Sequence, residues 1–325
     1  MKLIQEIFQP HTAQGFEELA LRVFQFQYKL NQVYRRYCQL INTKPDAVGH
    51  LHEIPFLPIE FFKTHHVSTG QNASHIFTSS GTTTMIPSKH YITDIRLYEQ
   101  SYVHAFKQFY GDPDQYTILA LLPSYLERTG SSLIHMVNDL IMQSNDEQSG
   151  FFLDQKEELV KRIRQAEKNK RSTLLIGVSF ALLDIAEEYS LNLKHTTIME
   201  TGGMKGRRKE LIRAELHDHL KKGFGVEEIH SEYGMTELLS QAYSTGDGIF
   251  RASETMKILI RDPEDPFSYQ PLGKTGGINV IDLANLYSCS FIATQDLGKS
   301  YPDESFEVHG RFDQSDIRGC NLMTL

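Results

Sequence analysis

A run of small polar residues near position 80 offers the clearest chemistry in this chain. Every position from 78 to 84 is a hydroxyl residue or glycine, in the order Thr78, Ser79, Ser80, Gly81, Thr82, Thr83 and Thr84. Pro87 and Lys89 follow within five residues. Backbone N–H groups, hydroxyls and one ammonium suit a loop that wraps a polyphosphate. The same composition is typical of a plain surface loop, so other segments must decide between the two interpretations.

A second group of chemically useful side chains lies at 231–237, with the sequence Ser-Glu-Tyr-Gly-Met-Thr-Glu. Tyr233 beside Gly234 offers a flat face for an adenine ring, and Thr236 offers a hydroxyl to an α-phosphate. Glu237 offers the hard carboxylate oxygen that Mg²⁺ prefers. The structural alternative is a turn after a strand, with Thr236 as the N-cap of a helix and Glu237 in its first turn.

Three weaker segments follow the same order along the chain. The first is the pair Gly202 and Gly203, the second is Asp296 within Thr-Gln-Asp-Leu-Gly at 294–298, and the third is Arg311 within Gly-Arg-Phe-Asp at 310–313. Each segment alone is typical of an ordinary turn. Their order and spacing relative to the first two segments favour a shared nucleotide site.

Taken together, the five segments resemble the motifs of the adenylate-forming superfamily of acyl-CoA synthetases, luciferases and nonribosomal adenylation domains. The loop is similar to Thr-Ser-Gly-Thr-Thr-Gly-x-Pro-Lys, with an extra serine, Thr84 in place of glycine and one extra residue on each side of Pro87. Residues 233–237 match Tyr-Gly-x-Thr-Glu in full, and residues 294–298 resemble Thr-Gly-Asp-Leu with Gln295 in place of glycine.

The resemblance implies ATP and Mg²⁺ as cofactors. It implies that the loop 78–84 and Lys89 hold the phosphates, and that Thr236 and Glu237 position the α-phosphate and the metal ion. It further implies that adenine lies against Tyr233, Gly234, Gly202 and Gly203, and that Asp296 and Arg311 hold the ribose.

The end of the sequence refines this resemblance. Ordinary superfamily members continue past the Gly-Arg-x-Asp element with a mobile domain that carries a catalytic lysine, whereas 12 residues follow Asp313 here. An adenylating chain of this kind with a cysteine near its end is similar to the LuxE-type acyl-protein synthetases, and residues 122–133 also resemble that family. In that family the acyl group passes from acyl-AMP to such a cysteine and then to a reductase, which implies that Cys320 is the acceptor.

The thiolate is the nucleophilic form of cysteine, so the role implied for Cys320 is chemically reasonable. The alternative is that Cys320 is a small buried residue at the end of a strand. Cys38 lies in a helical pattern and Cys289 in an apolar strand pattern, and both are predicted to be core residues.

The elements that must position these side chains follow an alternating pattern. Residues 1–50 are predicted to be helical, with one buried helix over 15–38, and residues 54–59 are predicted to be extended. Helices are predicted at 94–110, 131–142, 157–170 and 209–220. Strands are predicted at 74–77, 116–122, 173–178, 196–200 and 227–233. Short strands with turn residues follow at 257–261, 277–281, 290–294 and 306–308.

Alternating strands and helices from about residue 74 predict an α/β fold with a mostly parallel sheet, and the later strands predict a small antiparallel or barrel-like β subdomain. The resemblance implies the large domain of the adenylate-forming superfamily without its usual mobile C-terminal domain. Three regions are predicted, a helical segment at 1–60 packed on the core, an α/β core at 61–247 and a β-rich part with the tail at 248–325. In such sheets, ligands bind beyond the carboxyl ends of strands, where the loop 78–84, Gly202 and Gly234 are all predicted to lie.

Composition excludes several classes of function. A net charge of −8 over 325 residues argues against a nucleic-acid partner. The longest apolar run, 174–186, is too short to span a bilayer, the N-terminus is too polar for a signal peptide, and the three cysteines lack metal or redox spacing. A cytoplasmic protein is the expectation.

The leading hypothesis is a ligase that activates a carboxylic acid, in particular a fatty acid, as acyl-AMP and then transfers it to Cys320 as a thioester. One alternative is an adenylating enzyme that transfers the acyl group to coenzyme A, a carrier protein or an amine. Another is a non-catalytic subunit that binds nucleotide or acyl groups within a complex. The resemblance implies a reductase or carrier as the partner that accepts the acyl group.

Overall fold

The computed structural model describes residues 2–79, 86–122, 130–153, 155–202 and 211–312. Its α-helices are α1 (Lys2–Ile7), α2 (Ala13–Leu30), α3 (Gln32–Leu40), α4 (Phe61–Thr64), α5 (Ile95–Tyr110), α6 (Ser132–Gln143), α7 (Lys156–Lys168), α8 (Ser179–Glu188) and α9 (Arg213–Phe224). Its first strands are β1 (Leu57–Pro58), β2 (His75–Thr78), β3 (Lys89–Ile92), β4 (Thr117–Leu121), β5 (Gly150–Phe151), β6 (Thr173–Val178), β7 (Thr196–Thr201) and β8 (His230–Tyr233). The later strands are β9 (Ala242–Ser244), β10 (Ile249–Ala252), β11 (Met256–Arg261), β12 (Gly276–Asp282), β13 (Phe291–Ser300) and β14 (Phe306–Arg311).

One long mixed sheet forms the framework of the molecule, in the strand order β11-β12-β13-β14-β10-β9-β8-β7-β6-β4-β5. Strands β4 to β8 pair in parallel, and β8 pairs with β9 in the antiparallel sense. The remaining pairs from β9 to β14 are antiparallel. The predicted α/β fold with an antiparallel β-rich part is therefore confirmed. The division into three regions at 60 and 247 remains a prediction. The sheet runs without a break across the second boundary, from β9 to β10.

The central parallel strands were the easiest elements to predict because they are apolar throughout. All residues of β4 and β6 are buried, as expected for strands covered on both faces. Helices α5 and α6 begin within one residue of their predicted starts, and the side chains of Asp94 and Ser131 cap them by accepting the N–H groups of Arg96 and Ile134. Helix α8 was not predicted, because the apolar run that contains it continues directly from β6.

The prediction that the strand before the hydroxyl loop joins the parallel sheet is wrong. Strand β2 pairs with β3 in a separate antiparallel hairpin, with Thr78 opposite Lys89. The segment 79–88 thus connects two arms of a hairpin and does not link a strand to a helix. The sequence gives little warning of this, because the alternation of β3 is short and follows a loop of unusual composition.

The prediction of one helix over 15–38 is also corrected, since the helix breaks at Asn31. This fully buried residue ends α2 and caps α3, where its side chain accepts the N–H of Tyr34 at 3.0 Å. Its amide also donates to the carbonyl of Ser288 at 2.9 Å. A tertiary hydrogen bond therefore fixes a break that helical periodicity does not reveal.

The N-terminal helices pack on the antiparallel end of the sheet. Tyr34 stacks on Phe291 of β13 with ring centroids 6.0 Å apart, and Phe24 meets the same ring edge-on. The segment predicted to be an extended linker contributes β1, which pairs in parallel with β13. The first 60 residues therefore cover strands that are formed more than 200 residues later in the chain.

Candidate active site

The base of the β2–β3 hairpin holds Thr78 and Ser79, the first two residues of the predicted phosphate loop, next to Ser88. The N–H of Ser79 donates to the carbonyl of Ser88 at 3.1 Å, and the N–H of Ser88 donates to the hydroxyl of Ser79 at 2.8 Å. The N–H of Thr78 donates to the carbonyl of Gly130 at 2.8 Å. Lys89 begins β3 and is exposed to solvent. Ser80, Gly81, Thr82, Thr83 and Thr84 lie outside the described residues.

A hydrogen-bonded chain joins Tyr233, Asp296 and Arg311, which come from three different strands. The hydroxyl of Tyr233 donates to one oxygen of Asp296 at 2.8 Å, and Nε of Arg311 lies 3.3 Å from the other oxygen. Asp296 is 7% exposed, whereas the Arg311 side chain is 76% exposed. The structure thus brings together the residues predicted to bind adenine and ribose, and leaves the guanidinium open to a ligand.

The ring of Tyr233 is held from behind by aromatic packing. Phe250 and Phe306 meet it edge-on with centroid separations of 6.1 and 5.9 Å. Burial raises the pKa of the Tyr233 phenol well above its ordinary value, and the charge of Asp296 adds to this effect. The phenol therefore remains a neutral donor to Asp296 at any physiological pH.

The predicted turn after β7 begins at Gly202, whose φ of +69° favours glycine. The hydroxyl of Ser179, at the start of α8, donates to the Gly202 carbonyl at 2.7 Å. This bond fixes the turn at the carboxyl end of β7, next to the end of β8. Gly203 lies outside the described residues.

Thr236 and Glu237 follow β8 and lie beside the base of the hairpin. Glu237 is 5% exposed, and its side chain is hydrogen-bonded to that of Ser88. Burial raises the pKa of Glu237, against the Ser88 hydrogen bond and the positive charges of Arg311 and Lys63. The Ser88 hydroxyl of the hairpin base and the Glu237 carboxylate thus lie next to each other.

The donor set fits a magnesium ion that arrives with a nucleotide. The ionised form of a buried carboxylate with a raised pKa is stabilised by a nearby cation. Mg²⁺ is commonly held by one or two carboxylates plus phosphate oxygens. Glu237 would hold the metal, which would neutralise charge on the phosphates when bound. Within the described ranges, no group of three or more His, Cys, Asp or Glu residues could hold a metal ion.

Two polar residues of this region carry no motif signal and were missed from the sequence. His90 is fully buried, with Nδ1 2.8 Å from the Thr236 carbonyl and Nε2 3.0 Å from Oδ1 of Asn285. Asn285 in turn donates from Nδ2 to the Glu237 carbonyl at 2.8 Å. The position of His90 directly after Lys89 was the only available hint.

Glu232 is the third residue that the motif analysis passed over, although it lies inside the Ser231–Glu237 segment. Its carboxylate accepts the Thr201 hydroxyl at 2.6 Å, across the paired ends of β7 and β8. Burial raises the pKa of Glu232 to about 7, more than the Thr201 hydrogen bond lowers it. Because neighbours on a strand point to opposite faces, Glu232 lies on the face opposite Tyr233.

Two of the three cysteines lie in described parts of the structure, and both are core residues as predicted. Cys38 and Cys289 are fully buried free thiols. Burial raises the pKa of Cys38 to about 12 and raises that of Cys289 further. Neither thiol supplies a thiolate at neutral pH, so neither suits the role of a nucleophile. Cys320 lies outside the described residues.

None of the helices that the structure describes is long and apolar enough to span a bilayer.

Two solved structures share the fold of this chain. 2-Hydroxyisobutyryl-CoA ligase, in an open conformation with 2-HIB-AMP and CoA, matches with a TM-score of 0.70 and 13% identity, over 98% of this chain and 77% of that chain. ATP-bound MatB from Rhodopseudomonas palustris matches with a TM-score of 0.55 and 18% identity, over 73% of this chain and 47% of that chain. The protein therefore has the fold of the adenylate-forming enzymes, as predicted.

The family is narrower than the fold. The family model described as "Acyl-protein synthetase, LuxE" matches residues 10–324, so the chain belongs to the LuxE acyl-protein synthetase family and is a ligase. A relative from Aliivibrio fischeri, "Long-chain-fatty-acid--luciferin-component ligase", is 23% identical over 94% of this chain and 86% of its own length. The suspected family is confirmed, and family and fold together support activation of an acid through acyl-AMP.

Proposed function

We propose that this protein activates a fatty acid with ATP and Mg²⁺ and then takes the acyl group onto Cys320 as a thioester. In the first step a carboxylate oxygen of the acid attacks the α-phosphorus of ATP, the bond to the bridging oxygen breaks, and pyrophosphate leaves. In the second step the deprotonated Cys320 sulfur attacks the acyl carbon, and AMP leaves with the electrons of the broken C–O bond.

The observation that carries this proposal is the convergence of Tyr233, Asp296 and Arg311 next to Thr236 and Glu237. A carboxylate beside an exposed guanidinium suits the two hydroxyls and the oxygens of a ribose phosphate. Glu237 is hydrogen-bonded to Ser88 at the hairpin base and feels the positive charge of Arg311, which supports a triphosphate running from the ribose toward the hairpin base. Preorganised donors at this point stabilise the charge that develops on the departing pyrophosphate.

The fatty-acid class is supported by the name of the Aliivibrio fischeri relative, which acts on long-chain fatty acids. The cysteine acceptor is supported by the family and by the chemical state of the other thiols. Cys38 and Cys289 are buried with raised pKa values, which leaves Cys320 as the remaining thiol of the sequence. A reductase that accepts the acyl group from Cys320 completes the proposed sequence of reactions.

Intact-mass measurement after incubation with ATP, Mg²⁺ and a series of fatty acids tests both steps. We expect a hydroxylamine-labile acyl adduct that is absent in Cys320→Ser and retained in Cys38→Ser, the matched control. ATP–pyrophosphate exchange should survive in both variants. An adduct that persists in Cys320→Ser would refute the thioester acceptor, and an absence of exchange in the wild type would refute the activation step.

The same assay separates the proposed acceptor from coenzyme A, which occupies the site of the structurally similar 2-hydroxyisobutyryl-CoA ligase together with 2-HIB-AMP. Added coenzyme A should leave the yield of the protein adduct unchanged. Formation of free acyl-CoA at the expense of the adduct would instead assign the acyl group to coenzyme A.

A further inference from the structure

His90 connects the β2–β3 hairpin to the segment that carries Thr236 and Glu237, although it was not part of any motif. It lies on β3 immediately after Lys89 and is fully buried. Its ring packs edge-on against Phe62, with centroids 5.5 Å apart and planes at 90°, which fixes the direction in which both nitrogens point. The backbone of β3 carries His90 with the hairpin, so any movement of the ring moves the hairpin base as well.

The two nitrogens of His90 reach the backbone of the Thr-Glu pair, one directly and one through Asn285. Nδ1 lies 2.8 Å from the Thr236 carbonyl, and Nε2 lies 3.0 Å from Oδ1 of Asn285. Nδ2 of Asn285 donates to the Glu237 carbonyl at 2.8 Å. One buried pair of side chains, His90 and Asn285, thus contacts the consecutive carbonyls of Thr236 and Glu237.

The protonation of the ring decides which contact is the strong one. Burial lowers the pKa of His90 to about 4, so the ring is neutral at physiological pH and carries one N–H. The Thr236 carbonyl and the Asn285 side-chain oxygen can both only accept, because the amide nitrogen of Asn285 donates to the Glu237 carbonyl. The single N–H of the neutral ring therefore bonds one of them at a time, and the shorter contact assigns it to Nδ1 and Thr236.

We propose that His90, supported by Asn285, is a positioning residue that holds Thr236 and Glu237 in place beside the base of the β2–β3 hairpin during adenylate formation. The inference rests on the proposed function, because Thr236 and Glu237 act there on the α-phosphate and the metal ion. His90 itself touches neither ligand. It acts by fixing the backbone from which the hydroxyl and the carboxylate project, and small displacements of such groups cost large factors in rate.

Three substitutions at position 90 separate hydrogen bonding from packing. His90→Asn would place an amide donor near the position of Nδ1, whereas His90→Gln would place its donor near Nε2 and His90→Phe would fill the volume with no donor at all. We expect His90→Phe to lower the rate of ATP–pyrophosphate exchange about tenfold or more and to raise the half-saturating Mg²⁺ concentration several-fold. We expect His90→Asn to keep an exchange rate and a half-saturating Mg²⁺ concentration close to those of the wild type. His90→Gln should lie between His90→Asn and His90→Phe in both quantities.

Asn285→Ala gives a second route to the same test if substitutions at His90 impair folding. It should also raise the half-saturating Mg²⁺ concentration, and the effects of Asn285→Ala and His90→Phe should be less than additive because both act on one segment. Tyr91→Phe, a change to the next residue of β3, is the matched control and should leave both values unchanged. Thermal unfolding reports the folded fraction of each variant.

The outcomes distinguish this inference from the proposed function. A wild-type protein without pyrophosphate exchange would refute the proposed function, whatever the variants do. Normal exchange in His90→Phe, or slower exchange at an unchanged half-saturating Mg²⁺ concentration, would overturn the positioning role while leaving the proposed function intact. Equal losses in His90→Asn and His90→Phe would overturn it too, since only the first retains a donor to Thr236.

Discussion

At the scale of single residues, neighbours on β8 have different surroundings. Tyr233 contacts Asp296 on one face, while Glu232 accepts the Thr201 hydroxyl on the other. The first pair was predictable, because Tyr233 and Asp296 belong to motifs that name them. Glu232 and His90 were not, because their roles depend on burial and on partners from distant segments.

The raised pKa of Glu232 gives a prediction on pH and stability. The folded protein keeps this proton up to about pH 7, whereas the unfolded chain releases it near the ordinary glutamate value of 4.5. Stability from this group is therefore full below pH 4.5 and falls as the pH rises through 7. Glu232→Gln keeps an acceptor for Thr201 without titrating. Its stability relative to the wild type should rise by up to about 3 kcal/mol between about pH 5 and about pH 8.

Urea unfolding at both pH values measures this difference. Glu264→Gln, at an exposed position, is the control and should shift stability equally at both. A pH-independent difference between Glu232→Gln and the wild type would contradict the assigned cause.

At the scale of elements, the sequence predicted best where one local pattern decides the structure. Strand β6 was predicted with its observed bounds, and α5 ends at Tyr110 as predicted. The β2–β3 hairpin was not recognised, because its two strands have four residues each and their pairing depends on contacts with other elements. One such contact is the bond from the Thr78 N–H to the Gly130 carbonyl.

Gly130 offers a test of whether neighbouring elements position the base of the β2–β3 hairpin. Its φ is +92°, and a Cβ there would lie 3.1 Å from the Ile76 carbonyl and 3.2 Å from the Thr78 hydroxyl. Gly130→Ala should destabilise the protein by about 1–2 kcal/mol and raise the half-saturating ATP concentration, since strain at 130 displaces Thr78. Gly150→Ala, where the Cβ would meet no atom within 4 Å, is the control. An equal effect of the two substitutions on ATP would show that Gly130 does not position the hairpin.

At the scale of the whole molecule, the N-terminal helices and the antiparallel strands form one core. Gln27 of α2 is fully buried, and its amide nitrogen lies 3.0 Å from the Asn285 carbonyl, 2.9 Å from the Leu286 carbonyl and 3.0 Å from the Ser290 hydroxyl. Its amide oxygen accepts the Ser290 N–H at 2.9 Å. The sequence indicated that this helix is buried but could not name its partner, since the contact spans most of the chain.

Gln27→Leu should therefore destabilise the fold strongly. Leucine fills a similar volume but removes the hydrogen-bond partner that Gln27 supplies to the Leu286 carbonyl and to the Ser290 N–H, which costs on the order of 3 kcal/mol. Gln25→Leu makes the same change on the exposed face of α2, where the side chain donates to the Pro45 carbonyl at 2.9 Å, and should cost less than about 1 kcal/mol. Urea unfolding compares the two, and equal losses would mean that Gln27 does not join α2 to the sheet.

The contact between Gln27 and Ser290 also sets an order of events during synthesis. The two residues are 263 positions apart, so a ribosome adding about 5–20 residues per second needs roughly 13–50 seconds between them. Over that interval the apolar face of α2 has been made but its covering strand β13 has not. The nascent chain therefore carries an uncovered helix surface until β13 has been made, and the docking of β13 is the step that protects this surface from aggregation and from chaperone capture.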